Sequence, residues 1–424
     1  MEYITKQIKE GVKVHYIKTD LYKTDLISVF ITKKLERESV TTNTLIPAVL
    51  SRGSKTMPTQ EDISKSLENL YGAEYNSGID KTGDNHVMKF YIESLNNEFL
   101  ISQEDILQQS IEKLLQIVFE PLIEDESFKK EYVELEKNKI KQLIESKIDN
   151  KDKYATERCV EEVYKGKAYG LYKYGYVEDL DKIDEHNLYD AYKKLISDSK
   201  IDIFISGNFD ENAVNTMLEN NHIIQQLQPR TPQYIINNET TEKKEKQEIK
   251  EVIEQKNVGQ GKLVRGLDVF DNTAENRYIL ALYNTLLGGS ANSKLFQNVR
   301  EKESLAYSIG SIYIRQKNNV FIKAGINIED YDKTVQLIKQ QLEDMENGNF
   351  TEEELEKAKK FIVNGIRAII DEQETGVTYY LGQELARENI TPEQYIEKIN
   401  NITKQQVQDI SGKININTIY FLKN

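Results

Sequence analysis

Residues able to hold a metal or act as nucleophiles are scarce. The chain has four histidines, His15, His86, His186 and His222, and one cysteine, Cys159, in 424 residues. Hydrolytic zinc sites commonly use two histidines one helical turn apart, so that both rings reach one ion from the same helix face. A glutamate beside them serves as base for the bound water. No two histidines here lie within ten residues of each other. Each therefore reads as a surface or core residue, and His86, inside the alternating run Asn85 to Ile92, reads as structural. One thiol can form neither a thiolate cluster nor an internal disulfide, and it fits a reducing compartment. Cys159 lies in the helical-looking Glu157-Arg158-Cys159-Val160 and reads as a buried structural thiol rather than a nucleophile. Carboxylates are abundant, but without histidine they are a weak zinc signal. From its own residues the chain assembles no catalytic metal site.

Composition narrows the classes further. The net charge of −14 argues against a nucleic-acid partner, which requires a basic face; it is compatible with basic or neutral peptides and equally with simple solubility. Apolar residues are 38% and charged residues 30%, polar for a globular protein but not the composition of a disordered one. With 25 Tyr, 13 Phe and no Trp, the core is expected to rest on Ile, Leu, Val and Tyr. No apolar run approaches the length of a membrane span, and Met1 to Lys6 carries no signal-peptide pattern, so the expected location is cytoplasmic.

The elements that would position any site occur twice. The first half reads as strands at Val12–Ile17 and Leu26–Ile31, then an apolar stretch from Leu45 to Leu50 closed by Arg52-Gly53-Ser54. A helix begins at Thr59-Gln60-Glu61-Asp62 and stops by Gly72. A strand pair ends on Asn85–Ile92, residues 103–165 are helix-periodic, and a helix near 184–196 leads into the strand Ile201–Ser206. Residues 228–258, with Pro229, Pro232 and the charged run Thr241 to Glu248, read as a solvated linker, poorly ordered at its centre. The pattern then returns: strand Lys262–Leu267, apolar helix Tyr278–Leu287 closed by Gly288-Gly289, strands Ala306–Ile314 and Val320–Ile326, helices from Thr351 and Thr403, and a last strand Asn417–Leu422. The closing helix–strand pair recurs at an offset of about 215–220 residues and the apolar helix at about 235. The expected fold is α+β: two homologous domains from an internal duplication, each a mainly antiparallel sheet covered by helices. The expected boundaries are 1–227, a linker at 228–258, and 259–424.

This duplicated unit resembles the insulinase-type (pitrilysin-type, inverzincin) zinc peptidases over essentially the whole chain. Their helix carries H-x-x-E-H, followed by a G-T/S turn and a second amphipathic helix. Arg52-Gly53-Ser54-Lys55 followed by Thr59 to Gly72 has that arrangement. Counting back from Gly53 places the motif on Thr44-Leu45-Ile46-Pro47-Ala48, with Thr44 and Ala48 where the histidines belong and Pro47 where the base belongs. The family's third ligand, a glutamate on a later helix, falls near Gln142-Leu143. In the second half the segment from Leu295 to Ser308 looks like the family's R-E-K-x-x-L-A/G-Y signature, preceded by Leu287-Gly288-Gly289-Ser290.

The resemblance implies that Arg300 holds a backbone carbonyl of a peptide and that the Tyr307 hydroxyl helps stabilise a tetrahedral oxyanion. A guanidinium fork and a positioned phenol suit those tasks. The plainer alternative is that Arg300 pairs locally with Glu301 or Glu303 while Tyr307 merely starts a strand. In bacterial members of about this length, two subunits close as a clam-shell, one supplying H-x-x-E-H and the other the Arg/Tyr segment. The chain is thus expected to be a non-catalytic subunit, half of a clam-shell. It would bind peptides while a homologous partner with intact H-x-x-E-H holds the zinc; no cofactor is expected in this chain. The rival expectation is a structural or peptide-binding scaffold without a role in catalysis.

Overall fold

A computed structural model describes residues 2–101, 103–237, 248–270 and 273–424. In chain order the first half runs β1 (Glu2–Lys9), β2 (Val12–Lys18), β3 (Thr24–Lys34), α1 (Val40–Leu50), α2 (Gln60–Glu68), β4 (Glu74–Thr82), β5 (Asn85–Leu95) and α3 (Ile106–Phe119). There follow a short pair β6 and β7 (Ile123–Glu124, Ser127–Phe128), α4 (Lys130–Glu145), α5 (Lys151–Val163), α6 (Val177–Leu180), α7 (Glu185–Asp198), β8 (Lys200–Gly207), α8 (Glu211–Asn220) and α9 (His222–Gln226). The second half runs β9 (Lys250–Gln255), β10 (Gly261–Val269), α10 (Asn276–Asn284), β11 (Ala306–Ile314), β12 (Asn319–Ile326), α11 (Tyr331–Glu346) and α12 (Glu352–Arg367). It closes with α13 (Gln373–Ala386), α14 (Pro392–Asn400), α15 (Lys404–Ser411) and β13 (Ile414–Lys423).

These elements form two compact units. The first comprises residues 1–145, 171–235 and 372–382; the second comprises 146–170, 236–371 and 383–424. The first unit's sheet has the order β1-β2-β8-β3-β5-β4, parallel at β2–β8 and antiparallel elsewhere. Ile27, Val29 and Ile31 of β3 point to one face, where they bury with Leu45, Ile46, Leu114 and Leu115 of α1 and α3. The alternate residues, Ser28, Phe30 and Thr32, are buried on the opposite face. That face carries His15 stacked on Phe204 and Tyr3 stacked on Tyr380 of α13, and Gln373 donates to the Thr24 carbonyl. Burial on both faces explains the near-continuous apolar runs of β3 and β8, since each enclosed Ile, Val or Phe contributes about 1.5–3 kcal/mol.

The second unit's sheet has the order β11-β12-β10-β13-β9, parallel only at β9–β13. Reading β9, β13, β10, β12 and β11 against β2, β8, β3, β5 and β4 gives the same order and the same strand senses. One face packs on α10, α11, α12 and α15, with Leu263, Leu267 and Ile322 of the sheet against Leu280 of α10. The other face packs on α5 through Val264, Phe321 and Tyr420 against Ala155 and Cys159.

Capping fixes the helix starts anticipated in the sequence. Thr59 with Asp62, Thr351 with Glu354 and Thr403 with Gln406 all form reciprocal capping boxes. Two edge strands lie outside the elements anticipated: β1, and β9 inside the stretch read as linker. Neither buries a full face: β1 exposes Glu2, Thr5 and Gln7, and β9 exposes Lys250, Glu251, Ile253 and Gln255. The charged run expected to be poorly ordered, Thr241 to Glu248, lies almost wholly outside the described residues. The compact units also differ from a division at the linker, because α5 packs with the second half's sheet and the start of α13 with the first half's. Each helix supplies the apolar cover that one sheet face lacks.

Candidate functional site

The positions matched to the metal motif lie on α1 and α4 of the first unit, and these two helices pack together. Thr44 is buried, and its hydroxyl donates to the carbonyls of Val40 (2.9 Å) and Lys173 (3.0 Å). Pro47 is buried within the helix, where it offers no side-chain donor atom and removes one helix hydrogen bond. Ala48 is half-buried, and Leu143 on α4 is 39% exposed. A hydroxyl turned to backbone carbonyls, a pyrrolidine, a methyl and an isobutyl group do not form a zinc donor set. Among the described residues, no three His, Cys, Asp or Glu side chains gather as a metal site requires. An ion pair ties the two helices. Arg52, just past α1, donates through Nε to Glu136 of α4 at 2.5 Å and through Nη1 to Gln60 of α2 at 2.9 Å. Both members of the ion pair are largely buried.

The remaining histidines and the cysteine divide between core and surface. His15 bridges Tyr3 and Asp202 on the second face of the first sheet. Burial alone would raise the Asp202 carboxyl, but Lys200 and His15 bring it down to about 2. His86 donates from Nε2 to the Lys173 carbonyl at 2.9 Å, and burial pushes its pKa down to about 4, so the ring stays neutral. His186 is exposed, and His222 meets Glu120 at the surface. The Cys159 thiol is fully buried under α5 and pushed up to about 12 by burial, which makes it inert.

Arg300 and Tyr307 belong to the second unit and lie in backbone that departs from regular structure three times. Residues Phe296–Lys302 form a π-helical turn, Ser304 takes φ +54°, and the β11–β12 register slips between Ala306 and Ser308 so that Tyr307 occupies a bulge. Bulges re-aim side chains, and the Tyr307 ring is 58% exposed, its hydroxyl donating to Asn327 Oδ1 at 3.2 Å. The Arg300 guanidinium lies 4.7 Å from the Phe296 ring centre and 3.6 Å from Glu301, and its side chain is 42% exposed. The Gly288 of the preceding Gly-Gly pair lets the π-helical turn Thr285–Gly289 settle on β11. A Cβ there would stand 2.6 Å from Ser311 Oγ and 2.7 Å from Ser311 N. Sequence reasoning singled out Gly288, Arg300 and Tyr307. It missed the left-handed Ser304, a residue type that gives no warning, and it missed Lys173 and the Arg52–Glu136 pair, whose partners are distant in sequence.

A family profile described as the peptidase M16 inactive domain matches residues 182–362. A protein named probable inactive metalloprotease YmfF, from Bacillus subtilis, is 32% identical over 427 aligned residues, covering 100% of this chain and 99% of that one. The crystal structure of a conserved protein from Enterococcus faecalis superposes with a TM-score of 0.89 at 25% identity, covering 100% and 99% of the two chains. That of a peptidase M16 inactive domain from Pseudomonas fluorescens gives 0.80 at 17% identity, covering 100% and 98%. Among the described residues no helix is long and apolar enough to cross a membrane. With 32% identity to that probable inactive metalloprotease over the full length of both chains, the chain belongs to the M16 peptidase family, the insulinase-type peptidases that its residues resemble, as an inactive homologue.

Proposed function

We propose that this chain is the non-catalytic subunit of a two-subunit zinc peptidase, binding peptides and completing the partner's active site with Arg300 and Tyr307. The partner would be a homologue with an intact H-x-x-E-H motif, which holds the zinc and activates water. The observation that carries the reading is the exposure of Tyr307 on a bulge reached through a left-handed serine. Local backbone strain and π-helical turns concentrate where side chains are held for function rather than for packing. The phenol would donate to the developing oxyanion, and the guanidinium would hold a peptide carbonyl.

The test mixes the purified chain with its H-x-x-E-H homologue and follows cleavage of a quenched fluorescent peptide. Arg300→Ala or Tyr307→Phe is expected to lower turnover by roughly 10²-fold or more, as the loss of one oxyanion donor does. Unchanged turnover in both variants would sink the proposal. The scaffold reading draws on a specific observation too: the contacts of Arg300 with Glu301 and Phe296, and of Tyr307 with Asn327, are all local. It predicts that both variants assemble and support turnover like the parent.

A further inference from the structure

β2 and β9 hold the same place in the shared strand order, yet their helix-facing sides are finished differently. In the first unit that side is closed by α8 and α9. Val214 and Leu218 of α8 and Ile223 of α9 join the buried cluster of Val14 and Tyr16. The Tyr16 hydroxyl donates to Asn215 Oδ1 at 3.4 Å, and Lys6 of β1 pairs with Glu211 of α8 at 2.6 Å. The cover on β2 is thus an amphipathic helix. It brings two apolar side chains one turn apart, and a carboxylate for a cation on the sheet.

The α5-facing side of β9 is complete. Val252 packs into the α5 cluster, and Glu254 accepts from the Tyr154 hydroxyl at 2.6 Å and from Arg158 Nε at 3.0 Å. Alternation turns Glu251 and Ile253 to the opposite side, in register with Ile419 and Phe421 of the helix-covered core. There the cover stops short. Ile253 is 58% exposed and Glu251 is exposed, while Phe421, one strand in, meets the Tyr331 ring at the start of α11. Two strands in, the row of Glu251 and Ile419 holds Arg265, which is only 3% exposed. Its Nη1 donates to the Val335 carbonyl of α11 at 3.3 Å. Its Nε is buried without a partner; Nη2 also lacks one but is not sealed from solvent. Burial pushes the guanidinium down to about 10, and Glu251, the carboxylate that opposes this shift, forms no ion pair with it. A buried charge without a counter-charge is costly to keep, so the place favours whatever brings one.

We propose that the bare face of β9, beside the start of α11, docks an acidic amphipathic helix of a partner protein, in the manner of α8 on β2. Its apolar ridge would lie on Ile253 and Tyr331, its carboxylate would meet Arg265, and a basic residue on its flank would meet Glu251. Helices that bind apolar surfaces do so through side chains three or four positions apart, and an ion pair sets their register. The docking surface is independent of Arg300 and Tyr307 and of any zinc-bearing subunit.

The experiment uses the full chain and fluorescence anisotropy. The probe is a fluorescein-labelled alanine-based helix about eighteen residues long, enough for helicity in isolation, with leucines one turn apart and a glutamate beside them. A second probe has glutamine in place of that glutamate. The parent chain is expected to bind the glutamate probe roughly tenfold more tightly than the glutamine probe. Arg265→Met should abolish that preference, and Ile253→Asp should weaken both probes roughly tenfold or more. Ile253 is exposed, so its variant folds like the parent and decides the test even should Arg265→Met not fold. Binding of neither probe, equal binding of both by the parent, or binding unchanged by Ile253→Asp overturns the proposal. So does a preference that survives Arg265→Met. Self-association of the parent that Ile253→Asp abolishes, without probe binding, would put a second copy of this chain on β9 and overturn it too.

Discussion

The α1/β4 region of the first unit and the α10/β11 region of the second grow from the same sheet order and end in opposite chemistry. In the first, the polar groups named are committed inward: Thr44 to two carbonyls, Arg52 to Glu136, Lys173 to Ile79 and Asp80. In the second, the backbone is bent by a π-helical turn, a left-handed serine and a bulge, and Arg300 and Tyr307 are turned to solvent. One region has been made self-sufficient and the other kept available. A shared scaffold therefore does not predict a shared role; the commitments of its polar side chains do.

The largest effect expected on the closed side comes from Arg52→Ala. It leaves the buried Glu136 carboxylate with only the exposed Lys139 as a cation, and should cost about 3 kcal/mol, toward the low end for breaking a buried pair. Urea denaturation of the parent and the variant measures it, and a loss below 1 kcal/mol would mean that the pair does not tie α1 to α4.

A pH titration sharpens the same region. Burial lowers the folded pKa of His86 from 6.5 to about 4. The unfolded chain therefore binds the proton more readily, and stability present above pH 6.5 is lost as pH falls toward 4, by on the order of 3 kcal/mol. His86→Gln retains a donor for the Lys173 carbonyl without a titrating ring. The stability difference between parent and variant should shrink or reverse between pH 7 and pH 4, and a pH-independent difference would refute the assignment.

On the open side, Gly288→Ala forces a Cβ against Ser311 N and should cost about 2 kcal/mol, as overpacking does, while disturbing the approach to Tyr307. Thermal unfolding, together with turnover in the two-subunit peptidase proposed above, would register both. The smallest effect should come from Ser304→Gly. Relief of a left-handed residue, offset by glycine's chain entropy, leaves a gain of about 0.5 kcal/mol. A gain in stability with a fall in turnover would locate the strain in function; a fall in stability would show that Ser304 is not strained.

Much of this contrast was legible in the sequence. Capping residues such as Thr59 and Thr351 announce themselves because their partners stand three residues on, and alternation marks the central strands. The resemblance brought Thr44, Pro47, Ala48 and Leu143 into one comparison, and Arg300 with Tyr307 into another. Whatever depends on distant partners stayed hidden. Nothing local distinguishes Lys173, which grips a carbonyl 94 positions away, from any surface lysine. β1 and β9 escaped because a strand without a fully buried face has little hydrophobic period to read. The covering roles of α5 and α13 escaped because amphipathicity tells that a helix is covered, not by which sheet.

Those two helices bear on how the chain is made. The first sheet's second face is finished by residues 372–382, made long after its strands, and the second sheet's by residues 146–170, made long before the strands they cover. At a ribosome, neither unit can reach its final buried state as an independent N-terminal product. The first must wait with an apolar sheet face open until some 260 further residues past α3 have emerged, at roughly 5–20 residues per second. The linker is therefore a poor place to divide the chain for expression, and the newly made first half is the species most in need of a chaperone.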